Sequence, residues 1–370
     1  MSKRYYFIIA VLLLVIVVAA CGAGEKQTFT PTPIPEAQLN PLTVGLVTTV
    51  GGIEEKFHTA LAWQGIQESK NLITLEAAYK ESATEADYAT LLEEFAAKDT
   101  DLTFVIGRTM APALAQVAAS HPDAAYAIVD AESNAPNVRG ITFEVTPPSY
   151  MAGYLAGGMS KTGVVCVYGS EDTENVTDYM TGFVNGADYY RRQNGVDLQI
   201  LGWDVYEMDG ILLNETAPEE AGYHVAMDLF DRNCDVIFAV AQEAAKGSAR
   251  AAQEEHKMFI GATVDWYEVF PEYGNVTLTS VMEKTDKAVF DNIVAFAAGS
   301  FEGGKNYVGT LKNLGVGLAP YHQFDDRVPQ RMQEEINQVR NNILTGHLRP
   351  AEPWIYDENS TPESSEGHSG

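Results

Sequence analysis

Apolar, β-rich runs recur along the chain with room for a helix between them: TVGLVTTV, LTFVIG, AAYAIVD, GVVCVYG, DLQILGW, DVIFAVA, KMFIGATVD and NVTLTSVM. Tyr88, Leu91, Leu92 and Phe95 fall at helical spacing behind Thr84 and Asp87, which are spaced as a capping box. Val176, Met180, Phe183, Ala187 and Tyr190 form a second stripe. Strands that are apolar throughout, separated by helices, predict parallel sheets covered on both faces. The alternation restarts at Gly163 after a segment without clear period, Asn134 to Ser160. The pattern therefore predicts an α/β fold of two Rossmann-like lobes. Ligands of such sheets bind beyond the carboxyl ends of the strands, which makes the cleft between the lobes the expected site.

The two ends of the chain depart from this pattern. Lys3 and Arg4 precede an apolar run from Tyr5 to Ala20 that closes in Val18-Ala19-Ala20-Cys21. These are the marks of a signal peptide, and the run is short for a membrane span. Val-Ala-Ala-Cys matches the bacterial lipobox, which implies cleavage before Cys21 and diacylglycerol on its thiol; ordinary secretion with an incidental cysteine is the competing reading. Two acyl chains hold a protein on a membrane where one gives marginal binding. Residues 22–40, GAGEKQTFTPTPIPEAQLN, have no apolar period and read as an extended tether. The polar, acidic end DENSTPESSEGHSG reads as disordered. The expected organisation is a signal peptide over 1–20, lipidated cysteine and tether over 21–40, lobe I over 41–145 and lobe II over 146–265. Returning segments over 266–350 are shared between the lobes, lobe I taking part of the chain after about 266, and an acidic tail covers 351–370.

Charge and chemistry narrow the function. The formal charge of −27, from 24 basic and 51 acidic residues, opposes contact with nucleic acid or an anionic membrane surface. Cys166 and Cys234 lie on or beside core-like runs and read first as small buried hydrophobes, with a disulfide left open by an extracytoplasmic setting. Gly299 to Lys305 has phosphate-loop spacing, yet Asn306 stands where a hydroxyl should hold magnesium, and the segment follows a helix. His58, His121, His224, His256, His322 and His347 stand singly, and neither a nucleophile elbow nor zinc-ligand spacing occurs. The chain reads as a binding protein, with no catalytic residue, cofactor or metal expected.

VGLVTTVGGIEEKFHTALAWQGIQ resembles the opening of the basic membrane protein family of substrate-binding lipoproteins, which typically read V-G-x-V-T-D-x-G-G-I-D-D-K-S-F-N-x-x-A-W-x-G. HPDAAYAIVD, PNVRGITFEVTPPSYMAGYLAG, DVIFAVAQEAAKGSARAAQE, FIGATVD, LTSVMEKTDKAV and NLGVGLAP follow in the family's order. The resemblance implies a hinged, type I periplasmic-binding-protein-like fold that captures a nucleoside or purine-like solute for an ABC permease. It implies a monomer anchored by lipid on the extracytoplasmic face of the cell membrane. A lipid-anchored sensor with the same fold, or a cationic or polyhydroxylated ligand, is the alternative.

Carried over by position, the sugar-binding aspartate of the family falls on Asp130 and the apolar wall of its D-V-I-F strand on Phe238. Its aspartate pair leaves Thr263 and Asp265, with Trp266 beside them. The aromatic and amide of the first loop fall on His58 and Thr59 without a gap, or on Phe57 and His58 after a one-residue slip. Trp63 favours the ungapped register. The glycine turn becomes Gln242-Glu243-Ala244-Ala245, and the pocket lysine becomes Glu283, or Lys284 after a slip. Glu283 beside Asp130 and Asp265 implies an acceptor-rich pocket that rejects nucleotides. Arg108, on the loop after LTFVIG, faces the cleft by topology. Each has a plainer alternative: Asp130 as a turn cap, Asp265 and Trp266 as a helix start at a lobe interface, Phe57 as core, Arg108 as a surface ion-pair partner.

Overall fold

Buried on both faces, the apolar runs assemble into two parallel sheets. A computed structural model describes residues 41–352. The expected signal peptide, Cys21 and tether, and all but the first two residues of the expected acidic tail, lie outside the described residues.

Lobe I is built from β1 (Leu42–Val50), α1 (His58–Ser69), β2 (Leu75–Ser82), α2 (Tyr88–Ala96), β3 (Leu102–Ile106), α3 (Ala111–Ser120), β4 (Ala125–Val129) and β5 (Val138–Phe143). The chain then crosses through α4 (Thr146–Met159) into β6 (Val164–Gly169), α5 (Glu174–Asn194), β7 (Gln199–Leu201) and a small hairpin, β8 (Trp203–Asp204) with β9 (Asp209–Gly210). Lobe II continues with α6 (Glu219–Asp231), β10 (Val236–Val240), α7 (Gln242–Glu254), β11 (Met258–Thr263), α8 (Trp266–Val269) and β12 (Thr277–Glu283). After that come α9 (Thr285–Ala297), which packs on α1, then β13 (Tyr307–Gly309), β14 (Val316–Leu318), and α10 (Gln330–Leu344), which packs on α4.

The first sheet has the order β13-β5-β4-β3-β1-β2, parallel throughout. The second is β14-β12-β11-β10-β6-β7, with only β14 antiparallel. Helices cover both faces of each sheet, so β3, β6 and β10 are buried at every residue. Four apolar clusters result, one on each sheet face. The chain passes between lobes three times, near 144, 284 and 310–315. These passages are tied together: the Glu144 N–H donates to the Gly309 carbonyl at 2.8 Å and the Lys284 N–H to the Gly315 carbonyl at 2.9 Å.

Two expectations change. The segment from Asn134 to Ser160, without period in the sequence, contains β5 and the fourteen-residue α4. Every residue of α4 from Thr146 to Gly157 is buried, so the helix has no polar face to give it a stripe. A Cβ on Gly153 would stand 1.9 Å from the Phe183 carbonyl oxygen, and one on Gly186 1.9 Å from that of Tyr150. Glycine lets α4 and α5 meet backbone to backbone. Secondly, Cys166 and Cys234 form a disulfide, because the parallel pairing of β6 with β10 brings their Cα atoms to 6.1 Å. The bridge sits inside the apolar core of lobe II.

Candidate functional site

Strand ends from both sheets meet at a cavity of about 420 Å³. Lobe I contributes Thr49 near the end of β1, Gly107 and Arg108 after β3, and Asp130 after β4. Lobe II contributes Glu171 after β6, Gln242 after β10 and Thr263 at the end of β11. Three of these side chains stand on left-handed backbone: Asp130 with φ 64°, Gln242 with φ 40° and Thr263 with φ 73°. A β-branched residue in that region is held against its preference by roughly 1–3 kcal/mol, a cost typical of sites where a chain must turn a side chain toward a ligand.

Phe57 and His58 both line the cavity. Glu55 aims them: its Oε1 accepts from the Phe57 N–H at 2.6 Å and its Oε2 from the Thr59 N–H at 2.9 Å, closing the start of α1. Phe57 reaches across to lobe II, with its ring 6.4 Å from Trp266 and 6.0 Å from Phe270. The His58 Nδ1 lies 3.0 Å from the Thr285 hydroxyl, and its ring stacks on Phe143 at 6.5 Å. Thr59 is the correction here. It is wholly buried behind the helix start and does not line the cavity, since the first turn of α1 rotates it inward.

Asp130 is half-buried in the lining, and its carboxylate makes no hydrogen bond or ion pair among the described residues. Arg108 spans the mouth of the cavity. Its guanidinium is hydrogen-bonded to Glu171 of lobe II and lies 4.0 Å from Glu215. That bond to Glu171 holds the Arg108 pKa above its ordinary value despite partial desolvation.

Phe238, Asp265 and Glu283 also stand outside the lining. Phe238 is wholly buried in the core of lobe II, 6.1 Å from Tyr179 and 5.3 Å from Phe183, because β10 points it to the far side of Tyr179. Asp265 caps α8, accepting from the Tyr267 N–H at 3.1 Å, and its other oxygen lies 2.8 Å from the His322 Nε2. Trp266 does border the cavity but is 1% exposed, and it donates its indole N–H to the Ala262 carbonyl at 3.0 Å. Glu283 is also 1% exposed, at the end of β12 beneath the cavity. Burial raises its pKa, and the nearby His58 acts in the opposite direction.

Several lining groups escaped sequence reasoning: Glu55, Glu171, Asn175, Tyr179 and Glu215. The rule that sites lie at strand ends would have pointed to Ser170 and Glu171 after GVVCVYG, and to Asn175 at the start of the next helix. Tyr179 stands beside the apolar stripe of α5, three residues after Val176, where nothing in the sequence separates a lining residue from core.

A family model described as "ABC transporter substrate-binding protein PnrA-like", named Bmp, matches residues 42–348. The chain belongs to this family. Bmp proteins are substrate-binding components rather than enzymes, and a cavity between two lobes is the place where such a component holds its solute. Relatives of this Bmp protein include the "CD4+ T-cell-stimulating antigen" of Listeria monocytogenes, 28% identical over 84% of this chain and 88% of the relative. "Basic membrane protein A" of Borreliella burgdorferi is 27% identical over 80% of this chain and 84% of its own length. Among solved structures, an ABC transporter solute-binding protein from Aeropyrum pernix aligns with a TM-score of 0.69 and 17% identity, covering 84% of this chain and 93% of that one. A transcriptional activator from Bacillus halodurans aligns equally well, with a TM-score of 0.69 and 18% identity over 83% of this chain and 99% of that one. The fold is thus shared by transport and regulatory proteins, and the family match carries the functional assignment. Among the described residues no helix is long and apolar enough to cross a membrane.

Proposed function

We propose that this Bmp protein captures a nucleoside or purine-like solute in the interlobe cavity and delivers it to an ABC permease, held on the extracytoplasmic face by lipid on Cys21. The observation that carries this reading is the pairing of aromatic rings, Phe57 and His58, with the Asp130 side chain in one cavity. A flat heteroaromatic base suits the rings, and ribose hydroxyls can donate to the carboxylate. Lobe closure over the solute then presents a docking surface to the permease.

The lining also holds Glu85, Glu171 and Glu215 against the single arginine, Arg108. That excess of negative charge favours neutral or cationic solutes and opposes nucleotides. A thermal-shift panel tests the reading. At about a hundred times its dissociation constant a ligand stabilises by roughly 2.7 kcal/mol, so adenosine, guanosine or inosine should raise the melting temperature and their monophosphates should not. Shifts with polyamines or polyols alone would transfer the assignment to a cationic or polyhydroxylated solute. The anchor is tested separately: Cys21→Ala should release the protein from the membrane fraction, and a cleaved chain that stays there refutes lipidation.

A further inference from the structure

The hydrogen-bond direction of one cavity wall is set from underneath. Glu283 does not line the cavity, yet three groups that do converge on its carboxyl group. The Tyr179 hydroxyl donates to Oε1 at 2.8 Å, and the Asn175 Nδ2 donates to the same oxygen at 3.4 Å. The His58 Nε2 lies 3.5 Å from Oε2, an ion-pair distance without hydrogen-bond alignment, since that oxygen has no hydrogen-bond partner among the described residues. Burial of an acid this deep is unfavourable unless its neighbours use it.

Oε1 accepts whether or not Oε2 carries a proton. The single proton of Tyr179 is therefore committed to Glu283, and its phenol oxygen, which also meets the Thr263 hydroxyl, can offer a solute only a lone pair. Asn175 has its amide nitrogen turned toward Glu283, so its carbonyl oxygen is the end turned away. Asp130 adds a carboxylate that makes no hydrogen bond or ion pair among the described residues.

We propose that Glu283 is a positioning residue that determines specificity: by taking the Tyr179 proton and an Asn175 amide hydrogen it makes the lobe II wall of Tyr179 and Asn175 acceptor-facing, so that this wall, with Asp130 of lobe I, selects solutes by the donors they bring. This rests on the ligand occupying that cavity. A solute with an acceptor in place of a hydroxyl or amino group sets lone pairs against lone pairs and is rejected.

Calorimetric titration of the full-length protein with three probes tests this in the wild type, Glu283→Gln and Glu283→Leu. Adenosine against inosine compares an amino donor with a keto acceptor at the base edge. Adenosine against 2′-deoxy-2′-fluoroadenosine compares a hydroxyl with a group that cannot donate. In the wild type at least one pair should differ by about tenfold or more in favour of the donor. Glu283→Gln, whose carboxamide oxygen can still accept from Tyr179 and Asn175, should keep that preference, and Glu283→Leu should abolish it. Equal weakening of all three probes by Glu283→Leu, with the preference intact, is the signature of a merely structural residue and overturns the proposal. A second readout needs no ligand. The Tyr179 hydroxyl proton, identified by its loss in Tyr179→Phe, should give a slowly exchanging downfield resonance that survives in Glu283→Gln and vanishes in Glu283→Leu. Absence of that resonance in the wild type also overturns the proposal. Failure of all three probes to bind, with the resonance present, refutes the nucleoside reading and leaves the acceptor-facing wall supported.

Discussion

The two lobes share a topology but present different walls to the cavity. Lobe II is stapled by Cys166–Cys234 and filled with large rings; Trp266, Tyr168, Tyr179, Phe183, Phe238 and Phe259 are each less than 2% exposed. Lobe I, with no disulfide among its described residues, packs mainly aliphatic side chains around Phe104 and Tyr126, and it extends Arg108 and Asp130 into the cleft from loop ends. One wall is a packed floor whose polar groups, Tyr179 and Glu283, are locked to each other. The other carries charges that depend on what crosses the cleft. Similar βαβ construction thus leaves side chains free to give lobe II an aromatic, disulfide-tied floor and lobe I the arginine and aspartate of the lining.

Trp266→Ala strikes the floor of lobe II hardest. It removes a ring 4.8 Å from Phe259 and 4.5 Å from Phe270, and with it the surface on which Phe57 of lobe I rests. Denaturant unfolding should show a loss of about 3–5 kcal/mol; a loss below about 1.5 kcal/mol would mean that lobe II is not organised around this cluster. Next comes the double change Cys166→Ser with Cys234→Ser. The bridge closes a sequence separation of 68, and opening it should destabilise by about 2–4 kcal/mol. Hydrogen exchange should then accelerate in β6 and β10 and spare β3 and β4, while equal acceleration in both sheets would erase the contrast between the lobes.

Smaller effects belong to lobe I. Asparagine tolerates left-handed backbone as aspartate does, so Asp130→Asn should leave the melting temperature unchanged and weaken the solute by about tenfold, through loss of a charged acceptor. A melting temperature that falls with unchanged affinity would assign Asp130 to the turn alone. Arg108→Ala should be mildest, within about 1 kcal/mol on folding, because the pair is partly exposed. Stopped-flow measurement should find faster solute release and a release rate that no longer rises with salt, since the Arg108–Glu171 tie across the mouth is gone. A salt response that persists in this variant would locate the closure elsewhere.

How much of this was legible varied with the kind of information. Alternating apolar runs revealed both sheets, because a strand buried on two faces must be apolar at every position. The same burial hid α4, whose lack of a polar face removed the period that marks a helix. Arg108 was expected at the cleft from its place after a strand, and Asp130 and Gln242, like Phe57 and His58, from the resemblance; all five line the cavity. Thr59, Phe238, Asp265 and Glu283 were assigned by alignment and lie outside the lining, because position does not say which way a side chain turns. The first turn of α1 swings Thr59 inward, β10 hides Phe238 behind Tyr179, His322 claims Asp265 from 57 residues away, and Glu283 lies under Tyr179 rather than beside a ligand. The sequence by itself determined the class of fold, the two lobes and the strand ends that border the cavity, since these follow from local periodicity and chain order. Only the tertiary structure decided the disulfide, the tie between Arg108 and Glu171 and the polarity of the wall above Glu283, because each depends on groups more than sixty residues apart being brought within bonding distance.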